Sequence, residues 1–150
     1  MRRLVIGVGH PFRGDDAVGL KVAEAVAALE LPDTDVITHH GEGTDLMERW
    51  SGYDAACVVD ATWSGAEAGT IRVWDARTAA LPAGLFPKGS HVFGVVEGVE
   101  MARLLGRLPE FVLAVGIEAE NFDQGESISA AVKAAIPEAA RIIEGLFRDL

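Results

Sequence analysis

The chain is poor in the residues that fix several common protein classes. It has one cysteine, Cys57, in 150 residues. An internal disulfide framework is therefore excluded, and a reducing compartment fits. Cys57 lies in the apolar run Ala55-Ala56-Cys57-Val58-Val59, which predicts a buried, inert thiol rather than a nucleophile. Apolar runs are short, and none approaches the roughly 18 residues of a membrane span. The N-terminal Arg2-Arg3 precedes an apolar stretch already broken at Gly7 and Gly9, too short for a secretory signal. Basic residues are also scarce, 13 against 23 acidic ones, for a formal net charge of −10. That balance argues against a nucleic-acid or anionic-membrane partner and is compatible with a basic protein partner. A cytoplasmic protein is expected.

Familiar catalytic signatures are missing as well. There is no G-x-S-x-G, no H-E-x-x-H and no paired C-x-x-C. Near the N-terminus the chain reads Leu4-Val5-Ile6, then breaks at Gly7, Gly9, Pro11 and Gly14. A strand, a glycine-rich turn and a helix start invite a dinucleotide reading. The residues resist it: Phe12 stands where G-x-G-x-x-G requires its third glycine, and Asp15-Asp16 stand where a P-loop requires Lys and Ser or Thr. Two carboxylates at a helix N-terminus would repel a phosphate. The turn is expected to meet a cation or a protonated group.

What is present is a length suited to one domain, 1–150, and a hydrophobic content of 49% that suffices for a core. Periodicity predicts strands near Leu4–Ile6, Asp35–His40, Tyr53–Ala61, Thr70–Asp75 and Glu110–Gly116. It predicts helices over Ala17–Leu29, with Asp15 or Asp16 as cap, over Leu46–Trp50, capped by Thr44 or Asp45, and over Val95–Leu105. A closing helix is expected over Ser127–Leu150, broken or kinked at Pro137. The order β-α-β-α-β-β-α-β-α indicates an α/β fold, a mostly parallel twisted sheet of about five strands with helices on both faces. A long loop, Ala76–Ser90, has little periodicity and is a candidate for partner contact.

In such folds ligand sites gather beyond the carboxyl ends of the strands. Three residues are predicted there. Asp16 follows the first strand, Asp60 closes the apolar third strand, and His91 starts a helix after the long loop. Two carboxylates and an imidazole suit a borderline divalent metal such as nickel or zinc, with open positions for substrate or water. Each also has a plainer role available: Asp16 as a helix cap, Asp60 as a turn cap, His91 as a neighbour of a capping Ser90. His10, His39 and His40 are rival ligands. If His39 and His40 lie in a strand they face opposite ways, so at most one joins any single site.

The opening VIGVGHPFRGDDAVGLKVAEAV, the VVDA that holds Asp60, the turn GEGT at 41–44, the segment GSHVFGVVEGVEMARLLG and the late VGIEAENFDQGESIS together resemble the endopeptidases that mature the large subunit of nickel–iron hydrogenases. The resemblance implies a three-layer α/β sandwich of the phosphorylase/hydrolase-like kind. It also implies removal of a C-terminal extension from a nickel-loaded large-subunit precursor. The nickel would arrive with the substrate and be contacted by Asp16, Asp60 and His91. Two departures stand out. His10 replaces the family's usual Asn, and Asp16 replaces a frequent Glu and is shorter by about one C–C bond, roughly 1.5 Å. They keep a non-cleaving, nickel-sensing chaperone of the large subunit open beside the peptidase, with a nucleotide-binding domain as a third reading.

Overall fold

The structure is a computed structural model that describes residues 1–87, 91–125 and 127–150. Its elements are β1 (Arg3–Val8), a 3-10 turn (Gly14–Ala17), α1 (Val18–Ala28), β2 (Thr34–His39), α2 (Gly43–Trp50), β3 (Ala55–Thr62), β4 (Ile71–Asp75), α3 (Val95–Leu104), β5 (Phe111–Glu118) and α4 (Ala130–Arg148). The predicted order of strands and helices holds throughout. One five-stranded sheet runs β2-β1-β3-β5-β4. Four strands are parallel, and β4 closes one edge antiparallel to β5.

Strand alternation sorts side chains onto two layers. Leu4, Ile6, Ala56 and Val58 face one way and pack against Leu46, Met47 and Trp50 of α2 and Val95, Val99 and Ala102 of α3. Val5, Cys57 and Val59 face the other way, against Val18, Val22 and Val26 of α1 and Val132, Ala139 and Ile143 of α4. β3 is buried at every position from Ala55 to Thr62, as expected of a strand covered on both faces.

The chain leaves β1 toward β2 on one side and then returns to β3 on the other. That reversal beside β1 is the topological switch point, where open α/β sheets place their ligand crevice. The glycines of the first turn serve packing there. At Gly19 a Cβ would strike the carbonyl oxygens of Val8 and Val59, so α1 lies directly against the strand ends.

Several expectations are corrected. Neither Asp15 nor Asp16 caps α1, whose N-cap is Ala17 without a side-chain bond. α2 starts at Gly43, and Glu42 caps it by accepting from the Thr44 and Asp45 amides. α4 begins at Ala130 and runs unbroken through Pro137. Pro137 is exposed, so water can solvate the Lys133 carbonyl that the missing N–H leaves free. The loop after β4 is anchored as much as open, because Leu81, Leu85 and Phe86 are buried in the α2–α3 layer. Its last residues, 88–90, lie outside the described residues, as does Glu126. The expected capping role of Ser90 falls among them. No helix among the described residues is long and apolar enough to cross a membrane.

Candidate functional site

The adjacent carboxylates Asp15 and Asp16 have separate roles. Asp15 is fully buried and turns away from the crevice. Its Oδ2 accepts from the Glu120 amide at 2.8 Å, the Asn121 amide at 3.0 Å and the Ser129 hydroxyl at 2.7 Å. Its Oδ1 accepts from the Ser129 amide at 2.7 Å. Burial works to raise its pKa, but these four donors outweigh it and hold the carboxyl below its usual range. Asp15 is thus a clamp that ties the first turn to the β5–α4 connection and the start of α4.

Asp16 is half-buried and faces Asp60. Burial raises its pKa, against the opposing pull of His10, Arg13 and the His10 amide. Asp60 is 2% exposed. β3 continues to Thr62, so Asp60 lies inside the strand rather than at its end. By alternation it shares the face of Ala56 and Val58, the side of α2 and α3. Burial, and then the charge of Asp16, push its carboxyl well above the usual range, and only the Ala61 amide pulls it down. That amide, at 2.8 Å, is its one hydrogen-bond donor among the described residues.

A third buried carboxylate makes the contrast plain. Glu118 is 1% exposed but accepts from the Thr62 hydroxyl and from the amide and hydroxyl of Ser64. Burial raises its pKa and those donors more than reverse the effect. Asp15 and Glu118 are satisfied inside the protein, whereas Asp60 is buried with a single local donor and a like charge beside it.

His91 sits beside His40, which follows the end of β2. It lies in the loop before α3 and does not start the helix, which begins at Val95 behind Gly94. The loop is held down where the Gly43 amide donates to the Phe93 carbonyl at 2.8 Å. His91 Nε2 is 3.1 Å from His40 Nδ1. Among the described residues His91 hydrogen-bonds neither Asp16 nor Asp60: the structure brings the two aspartates together and sets His91 against a histidine stack after β2.

That stack was not expected. β2 ends at His39, so His40 is free of the strand's alternation. The two rings lie together, centroids 4.6 Å apart and 24° from parallel, and the His40 and His91 centroids are 5.0 Å apart. His39 is buried. Its Nδ1 accepts from the Gly41 amide at 2.8 Å and its Nε2 pairs with Asp45 at 2.6 Å. Burial, with help from His40, lowers its pKa against the pull of Asp45. A neutral ring with Nδ1 accepting must carry its proton on Nε2, so both nitrogens are committed and His39 is no free ligand. His10 is committed in part, its Nδ1 accepting from the Phe12 amide at 3.2 Å. The Cys57 thiol, fully buried, is pushed up to about 12, and it has no part in the chemistry.

An α/β sheet with a carboxylate pair at its switch point places the chain among proteins whose site lies at the ends of parallel strands. The hydrogenase maturation protease family model matches residues 20–146. A hydrogenase expression/formation protein HupD of Rhizobium leguminosarum bv. viciae is 30% identical over 141 residues, covering 92% of this chain and 70% of that protein. A hydrogenase 2 maturation protease of Escherichia coli (strain K12) is 28% identical over 153 residues, covering 99% and 92%. Among solved structures, a [NiFe] hydrogenase maturation protease HybD from Thermococcus kodakarensis superposes with a TM-score of 0.76 at 25% identity, covering 97% of this chain and 99% of that one. An endopeptidase from Escherichia coli gives 0.81 at 24%, covering 99% and 93%, a likeness of fold. The chain belongs to the hydrogenase maturation protease family, and it is a peptidase.

Proposed function

We propose that this peptidase removes a C-terminal extension from a nickel–iron hydrogenase large-subunit precursor, and that nickel carried by the precursor is what the crevice recognises. Asp16, Asp60 and His91 are the residues assigned to meet it. The observation that carries this reading is Asp60, a buried carboxylate with one neighbouring amide as donor and a second carboxylate facing it. Such a group is costly unless a cation completes it. The donor set of two carboxylates and an imidazole suits nickel.

The chemistry follows from charge. A docked dication would draw both carboxyls into their ionised forms and release the proton that burial now favours on Asp60. The scissile peptide, held beside the ion, would have its carbonyl polarised or would be attacked by an ion-bound water. Alternatively an ionised Asp16 or Asp60 would take a proton from the attacking water. His10, the neighbour whose charge acts on Asp16, would tune that carboxylate rather than ligate.

The test is incubation with nickel-loaded and nickel-free precursor, followed by mass spectrometry of the large subunit. The expected result is C-terminal mass loss with the nickel-loaded form alone. Asp16→Asn, Asp60→Asn and His91→Ala are each expected to abolish it. Full processing by any one of the three removes that residue from the site, and cleavage of nickel-free precursor overturns the recognition role of nickel.

A further inference from the structure

We propose that Trp63 is an anchor for the precursor: its indole, with the Phe122 ring beside it, takes an arginine or lysine side chain of the large-subunit precursor next to the crevice. The inference rests on the substrate reading above and adds to it the kind of side chain that the protein grips outside the carboxylate pair.

Trp63 is 57% exposed, although a tryptophan left in water forfeits the burial of a large apolar surface. Its backbone is nonetheless held on both sides. Thr62 before it and Ser64 after it both donate to the buried Glu118: the Thr62 hydroxyl at 2.8 Å, the Ser64 amide at 2.9 Å and the Ser64 hydroxyl at 2.7 Å. The Ala119 amide donates to the Thr62 carbonyl at 3.0 Å. The Phe122 ring, partly buried against the α1–α4 layer, meets the indole with centroids 5.3 Å apart and planes at 57°. The result is a solvent-facing aromatic surface on a fixed turn, which loses little freedom when a partner covers it. Tryptophan is also among the residues that most often carry binding energy at interfaces.

The turn is continuous with the crevice. Trp63 stands three residues after Asp60. Asn121, next to Phe122, exchanges bonds with Asp15: its amide donates to Oδ2 at 3.0 Å and its carbonyl accepts from the Asp15 amide at 3.1 Å. Asp15 adjoins Asp16, whose charge acts on Asp60. Charge selects the occupant. Glu67 in the segment after Trp63, and Glu120 and Asp123 on the Phe122 loop, are exposed and form no ion pair among the described residues. The basic side chain bonded to this turn, Arg72, is already engaged. It donates to the Ser64 hydroxyl at 2.6 Å, lies 3.7 Å from Glu118 and sits over the Trp74 ring at 5.2 Å. An apolar side chain would strip water from the three carboxylates without replacing it. A guanidinium or ammonium group gains from the ring face and from the carboxylates together.

Steady-state cleavage of nickel-loaded precursor by the wild-type protein and its Trp63 variants tests the proposal. Trp63→Ala is expected to raise KM about fivefold or more with kcat nearly unchanged, because the anchor lies beside the reacting groups rather than among them. Trp63→Leu keeps apolar bulk but has no ring face and is expected to match Trp63→Ala, whereas Trp63→Phe is expected to recover most of the loss. A wild-type KM in Trp63→Ala overturns the inference. A wild-type KM in Trp63→Leu shows a plain apolar contact and overturns the basic occupant. The double variant Glu120→Gln, Asp123→Asn is expected to raise KM at about 50 mM salt and to lose that effect near about 500 mM, and a KM unchanged at both also overturns the basic occupant. Failure of the wild-type protein to process any nickel-loaded precursor is a separate result, which defeats the substrate reading and this inference with it. Because Trp63 is exposed, its variants are expected to melt with the wild type, and circular dichroism checks that each is folded.

Discussion

Adjacent aspartates can differ in kind. Asp15 satisfies three backbone amides and a hydroxyl, so Asp15→Ala leaves buried donors orphaned and is expected to cost about 3 kcal/mol. A urea melt reads that loss. Asp60 is the opposite case. Its folded pKa is raised, so between the ordinary carboxylate range and the raised value the folded state holds more protons than the unfolded state. Stability then falls as pH climbs through that window, and the full cost is present above it. Asp60→Asn is accordingly expected to raise the melting temperature at pH 7 while abolishing processing. The rise is about 2–4 °C for each kcal/mol relieved, and the gain shrinks as pH drops toward 4. A melting temperature lowered at every pH would show that Asp60 is there for stability. The sequence displayed both aspartates but not this division, because it rests on a hydrogen-bond partner 114 positions away.

Among the elements, strands and helices were legible because their periodicity is local. The order was read correctly, and β3 was recognised by its apolar run. Boundaries were less so. The predicted helices reach Leu29 and Leu105, yet α1 and α3 end just before them and both residues are exposed. The 3-10 turn at Gly14–Ala17 took the place of a capped helix start, since its first carboxylate was drawn off to α4. The histidine stack was hidden because a turn and a loop join residues 51 positions apart. That junction depends on the crossing of α2 and α3 at two glycines. A Cβ on Gly43 would come within 2.5 Å of the Phe93 ring and 2.6 Å of the Gly94 carbonyl, and one on Gly98 within 2.9 Å of the Gly43 carbonyl. Gly43→Ala is expected to push the 91–94 loop outward at about 1–3 kcal/mol. Precursor processing should fall more than the thermal melt implies, and crystal structures of the variant would show His91 drawn away from His40.

For the molecule as a whole, the net charge of −10 sets the reach of its field. A precursor that presents a basic face and a cation would be steered toward it. Raising salt from about 50 to about 300 mM is expected to increase the apparent KM for precursor several-fold, with kcat nearly unchanged, because screening acts on encounter more than on contact. Steady-state cleavage at two ionic strengths checks this, and a KM indifferent to salt would place recognition in the crevice alone. The fold's class was readable from sequence, as was the placing of Asp16 and Asp60 near one another beyond β1 and in β3. That His91 meets His40 was not, since that depends on which loops the packed layers bring together.

The clamp at Asp15 also bears on how the protein is born. A ribosome delivers the chain from the N-terminus, and Asp15 emerges long before Ser129, its partner 114 positions later. Until the start of the last helix is released, the four donors that Asp15 takes from residues 120, 121 and 129 are not all in place. The clamp is thus among the last contacts that a chain made from its N-terminus can close, and its sequence separation marks it as a late-forming one.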